Sequence, residues 1–145
     1  MARGRDALLA ATLLLLAATA QCSVERRELQ TRMRALKATC KVSSGIPEDE
    51  LSKIKQEGPS SEKGKCFLGC MMEGMNIIEG GAFARERAER LVSAVYAEGA
   101  KRRSARAAVR ACAQEVTTTD RCETGGLVFE CFRRHQVGLF GSGGA

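Results

Sequence analysis

Six cysteines constrain this chain more than any other feature. Cys40, Cys66, Cys70, Cys112, Cys122 and Cys131 follow the spacing Cys40-x25-Cys66-x3-Cys70-x41-Cys112-x9-Cys122-x8-Cys131. An even set of this kind reads as three disulfides when the chain matures in an oxidising compartment. The N-terminus points to that compartment. Arg3 and Arg5 precede fourteen uncharged residues, Ala7 to Ala20, and Ala18-Thr19-Ala20 has the small-x-small pattern of a secretory signal peptide. Cleavage after Ala20 leaves Cys22 as an odd thiol, whereas cleavage after Cys22 removes it. Residues 1–20, or 1–22, are therefore read as a signal peptide. No later apolar run approaches the roughly 18 residues of a membrane span, so the expectation is a secreted, extracellular protein.

Covalent staples suit the composition. A length of 145 residues fits one domain, yet the chain has no Trp, one Tyr and five Phe, which leaves aromatic packing thin. Cys66 and Cys70 lie four residues apart in a segment that reads as helical, hence on one face, so they bond different partners. Each long loop closed in this way contributes about 3 to 4 kcal/mol by the chain-entropy argument. A metal site would call for paired C-x2-C units or clustered histidines. Neither occurs, and His135 is the only histidine. We expect no metal and no cofactor.

Hydrophobic periodicity places six helical segments. Leu29, Met33, Leu36 and Cys40 recur at steps of 4, 3 and 4, and the segment should end near Ser43-Ser44-Gly45. Pro47 with Glu48, Asp49 and Glu50 opens a short second helix that carries Leu51 and Ile54 and breaks at Gly58-Pro59. A third runs from about Ser61 to Met75, turning Cys66, Phe67, Cys70, Met71 and Met75 inward, with a stop around Gly80-Gly81. Ala84, Ala88, Leu91 and Val95 mark the fourth. Ala105, Val109, Cys112 and Val116 mark the fifth, after a break at Gly99. Asp120 and Glu123 resemble a capping box that opens the sixth, with Cys122, Leu127, Val128, Cys131 and Phe132, although Gly125-Gly126 lowers its helical propensity. No window alternates in the manner of a strand, so the fold class is all-α without strands.

With these elements in place, the C-x3-C and C-x8-C spacings and the run Lys65-Cys66-Phe67-Leu68-Gly69-Cys70-Met71-Met72-Glu73 are similar to the insect pheromone-binding and general odorant-binding protein family. The resemblance covers essentially the whole chain after the signal segment. It implies a compact six-helix bundle stapled by three disulfides around an apolar cavity. It also implies the pairing Cys40 with Cys70, Cys66 with Cys122, and Cys112 with Cys131. The domain would occupy residues 24–135, followed by a Gly-rich tail over 136–145. The pool from which the cavity lining is drawn is Met33 and Leu36, Leu51 and Ile54, Phe67, Met71 and Met75, Leu91 and Val95, Val109, and Leu127, Phe129 and Phe132.

The function implied by the resemblance is a secreted carrier of small hydrophobic molecules, odorants or semiochemicals, which delivers them to a chemosensory receptor at a membrane. Two alternatives stand beside it: a non-chemosensory carrier of the same kind, and a cationic binder of membranes or protein surfaces that has no cavity. The basic stretch Lys101-Arg102-Arg103-Ser104-Ala105-Arg106, with Arg110 a turn beyond, motivates the last, though such a run is usually a solvated helix face. Removal of the leader takes 23 basic and 17 acidic residues to 21 and 16, a mature charge of about +5. No interleaved aromatics accompany these cations, so nucleic acid is not a partner. No nucleophile, carboxylate dyad or metal set marks an enzyme.

Three further residues or segments carry specific expectations. His135 is a pH-switch candidate against the plainer reading of an exposed histidine at a helix end. Tyr96 either donates to a ligand oxygen or sits at a rim with its hydroxyl in water. Val137, Leu139 and Phe140 belong either to a frayed tail or to one that docks on the core.

Overall fold

The computed structural model describes residues 27–138. The expected signal segment, Cys22, Leu139 and Phe140 lie outside the described residues. Contacts divide the chain into two units after Lys37. A first helix, α1, covers 27–44. Its part within the N-terminal unit carries an Arg32 to Glu28 ion pair one turn apart (2.6 Å).

The remaining elements are α2 (Glu48–Glu57), α3 (Glu62–Gly74), the strands β1 (Ile78–Glu79) and β2 (Ala82–Phe83), α4 (Arg85–Val95), α5 (Ala100–Glu115) and α6 (Arg121–Arg134). The all-α reading holds with one correction. Gly80-Gly81 does not stop a helix but turns a two-residue antiparallel hairpin that pairs Ile78 with Phe83 and Glu79 with Ala82. Both glycines have positive φ (57° and 82°), as a tight primed turn requires. Helix α3 ends earlier, in a Schellman motif: Asn76 takes φ 60°, Asn76 N–H donates to Glu73 O, and Ile77 N–H donates to Met72 O, both at 2.9 Å. Ile77 is then fully buried.

The three disulfides are Cys40–Cys70, Cys66–Cys122 and Cys112–Cys131, the pairing that the resemblance implied. Cys66 and Cys70, one turn apart on α3, tie that helix to α6 and α1 respectively. Helices α3 and α6 form the most extensive packing pair in the fold. Their closeness explains the glycines that looked out of place. A Cβ at Gly125 would overlap the backbone N and Cα of Gly69, and one at Gly69 would overlap the carbonyl of Arg121. Cys66 and Cys122 precede this crossing by one turn on each helix, and their Cα atoms are 4.0 Å apart.

Two buried polar side chains position the connections. Glu50 accepts from Ser60 N–H (2.8 Å), Ser61 N–H (2.9 Å) and the Ser61 hydroxyl (2.6 Å), so its carboxylate sits on the N-terminus of α3, where the helix dipole favours negative charge. Thr124, with no exposed surface, donates to Gly81 O (2.6 Å) and also lies 3.2 Å from Thr118 O, which holds the hairpin turn against the α5–α6 connection. On α6, Asp120 caps by accepting from Glu123 N–H at 2.8 Å. The Glu123 carboxylate meanwhile pairs with Lys65 (2.8 Å) rather than closing the box.

Candidate functional site

The apolar interior of this unit is the candidate site. Leu51 and Ile54 of α2, Phe67 and Met71 of α3, Val109 of α5, and Phe132 of α6 are all buried, as periodicity placed them, and so is Phe129 of α6. Met75 and Leu91 are half-buried. Met33 and Leu36 belong to the N-terminal unit and are half-exposed there.

Val95 and Leu127 do not face inward; they are 53% and 42% exposed. On α4 the buried stripe is Ala88 and Val92, about a sixth of a turn away from Leu91 and Val95. Five apolar residues on an eleven-residue helix allow two adjacent stripes, and packing chose the narrower side chains of Ala88 and Val92. Sequence reasoning also left Leu68, Ile77, Ile78 and Val128 out of the site, although all are core. The adjacent isoleucines before Gly80-Gly81 were a readable hairpin signal.

Chemically, the interior is uniform. Among the described residues the buried polar side chains are Glu50 and Thr124, and hydrogen bonds to backbone and Ser61 engage both. Burial acts to raise the pKa of Glu50, but the Ser61 hydroxyl and the Ser60 and Ser61 amides outweigh it and hold the carboxyl below its ordinary value. Met71 and Met72 are buried and Met75 is half-buried, giving α3 an adaptable thioether surface. Two clusters have metal-like proximity, Cys112, Cys131 and His135, and Glu62, Cys66 and Cys122. In both, the sulfurs are disulfide-bonded and offer no thiolate.

His135 is exposed at the C-terminal end of α6. Gln136 takes φ 57°, Gln136 N–H donates to Arg133 O (3.1 Å) and Val137 N–H to Phe132 O (2.9 Å), a second Schellman motif that turns Val137 into the core. Through Gly138 the tail is therefore docked rather than frayed. Tyr96 is half-buried, and its hydroxyl donates to Gly138 O at 3.2 Å.

The basic stretch is only partly a solvated face. Arg102 donates to Tyr96 O (2.7 Å) and Ser93 O (2.8 Å), and Arg106 donates to the Ser93 hydroxyl (2.7 Å), so two cations of α5 satisfy the C-terminal end of α4. No described helix is long and apolar enough to cross a membrane.

Comparison with known proteins agrees with this architecture. The sequence matches the model of the PBP/GOBP family over residues 22–135. Among solved structures it resembles the odorant-binding protein OBP28a of Drosophila melanogaster, at a TM-score of 0.64 and 22% identity over 75% of this chain and 93% of that one. Apis mellifera odorant binding protein 5 aligns at 0.63 and 16% identity over 79% and 94%. The fatty acid binding protein OBP56a from the oral disk of the blowfly Phormia regina aligns at 0.55 and 21% over 75% and 92%. At these identities the likeness is one of fold. No curated protein matches the sequence.

Proposed function

Because the chain belongs to the PBP/GOBP family, whose members are binding and carrier proteins, we propose that it is a secreted carrier that holds a small hydrophobic molecule among the apolar side chains of α2 to α6. Its cargo is an odorant or related semiochemical, carried through aqueous extracellular fluid to a receptor at a membrane surface. The observation that carries this reading is the chemistry of the interior. Buried aliphatic, Met and Phe side chains come from five helices, and the two buried polar groups are already committed to structural bonds. Such a surface supplies affinity without any catalytic group. Each ligand methylene removed from water contributes about 0.8 kcal/mol, or about fourfold in affinity.

The test is titration of the oxidised protein with a fluorescent apolar probe, then displacement by alcohols, aldehydes, esters and alkanoic acids of roughly ten to eighteen carbons. The acids are included because one structural neighbour is a fatty acid binding protein. Saturable one-site binding whose displacement strengthens with chain length supports the carrier. Its absence in correctly bonded protein removes the carrier and turns attention to the cationic surface binder, for which binding to anionic vesicles would fall with added salt. Repeating the titration between about pH 7 and 5 with His135→Ala tests a release role for His135, since an unchanged profile in the variant removes that role.

A further inference from the structure

On the outside of the fold, the hairpin, the first half of α4 and the last turns of α5 border an open groove of about 690 Å³. Its apolar surface is Phe83 with Ala84 and Ala113. The Phe83 ring is held edge-to-face against Phe132, with centroids 5.8 Å apart. Around it stand four guanidinium groups, Arg85, Arg87, Arg90 and Arg110, against the carboxylates of Glu79 and Glu86. None of these lining residues belongs to the buried core.

The charges are unevenly matched. Arg87 pairs with Glu79 at 2.5 Å. Arg85 (3.7 Å) and Arg110 (3.2 Å) share one oxygen of Glu89, a carboxylate that is only 22% exposed. Arg90 has no ionic partner among the described residues, and neither has Glu86, so the groove with Glu89 carries four guanidinium groups against three carboxylates. Two guanidinium groups on one carboxylate oxygen leave most of their N–H donors unfilled, and Arg90 keeps all of its own. The first amides of α4 add to the positive potential, since Ala84 at the N-cap has no side chain to accept from them. A guanidinium fork matches a carboxylate or a phosphate group through two parallel hydrogen bonds.

We propose that this groove is a second binding site, separate from the apolar interior, that takes a small organic oxyanion. The carboxylate or phosphate group would lie between Arg90 and Arg110, and a flat apolar body against Phe83 and Ala113. The site lies beyond the carrier reading and does not depend on it.

The experiment uses the oxidised chain, with phenyl phosphate and benzoate as probes and benzyl alcohol as the uncharged control, read by calorimetry and by amide chemical shifts. The expected result is saturable one-to-one binding of at least one anion that weakens as salt shortens the Debye length. Which anion binds more tightly distinguishes a phosphate site from a carboxylate site. Arg90→Gln, which breaks no ion pair, should weaken binding by about fivefold or more, and Arg90→Gln with Arg110→Gln by more than about tenfold. Arg103→Gln removes the same charge from an exposed position of α5 outside the groove and should change affinity less than twofold, by screening.

The proposal is overturned by any of four results. These are no saturable binding of either anion, equal binding of the alcohol, equal weakening by Arg103→Gln, or displacement of a probe bound in the interior.

Discussion

Replacing Gly125 by alanine places a methyl group where α6 crosses α3 most closely, and the atoms it meets are the backbone N and Cα of Gly69 rather than a flexible side chain. Backbone cannot rotate away, so the helices must separate. The Cys66–Cys122 bond, one turn earlier, resists that separation by holding the two Cα atoms at 4.0 Å. Overpacking of this kind costs about 2 to 3 kcal/mol. Alanine in place of glycine in a helix interior returns about 1 kcal/mol. The net expectation is a destabilisation of about 1 to 2 kcal/mol, or about 4 to 8 °C in Tm for a domain of this size.

Gly126 is the internal control. Alanine at 126 gains the same propensity, but the atoms nearest a Cβ there belong to the Lys65 side chain, Cγ at 3.0 Å and Cδ at 3.3 Å, which can shift. Gly126→Ala should therefore be neutral or stabilising by up to about 1 kcal/mol. Reversible thermal unfolding with disulfides intact, followed by far-UV circular dichroism, measures both variants. A Gly125→Ala protein as stable as the wild type, or a Gly126→Ala protein destabilised equally, would refute the close-crossing argument.

Other perturbations test the buried polar groups. Glu50→Gln should cost about 1 to 2 kcal/mol at neutral pH, because hydrogen bonds to a charged acceptor are replaced by weaker ones. The folded-state pKa of Glu50 is lowered below 4.5. Its contribution is therefore present above about pH 4.5 and disappears as pH falls through the lower folded value, so denaturant midpoints of the two proteins should converge in acid. Thr124→Val leaves the carbonyl oxygens of Gly81 and Thr118 without this donor and should destabilise by about 1 to 3 kcal/mol in urea unfolding, with hydrogen exchange fastest in the hairpin. Arg102→Met should lower stability by about 1 kcal/mol and raise amide exchange at the end of α4, whereas Arg103→Met should do neither.

How far the fold could be read in advance differs from element to element. Met71, Val109 and Phe132 were legible because helical periodicity and burial agree wherever a helix has one apolar stripe. Val95 and Leu127 were not, because their helices offer more than one, and the choice among stripes depends on neighbours far away in the chain. Arg102 reads in sequence as one cation of a basic run; only the end of α4, nine residues back, makes it a cap. The same holds for the groove. Arg90 and Arg110 are twenty residues apart and become neighbours only when α4 and α5 pack.

Cysteine count and spacing, the apolar repeats and the turn residues determined that this chain would be a helical, triply stapled fold, since these are local properties or covalent ones that short spacings already restrict. Tertiary structure alone decided which faces are buried, why Gly125 must lack a side chain, where Glu50 and Thr124 find their partners, and how the arginines gather beside Phe83. Each of those is a contact between segments, and its energy depends on distances that no single stretch of sequence contains.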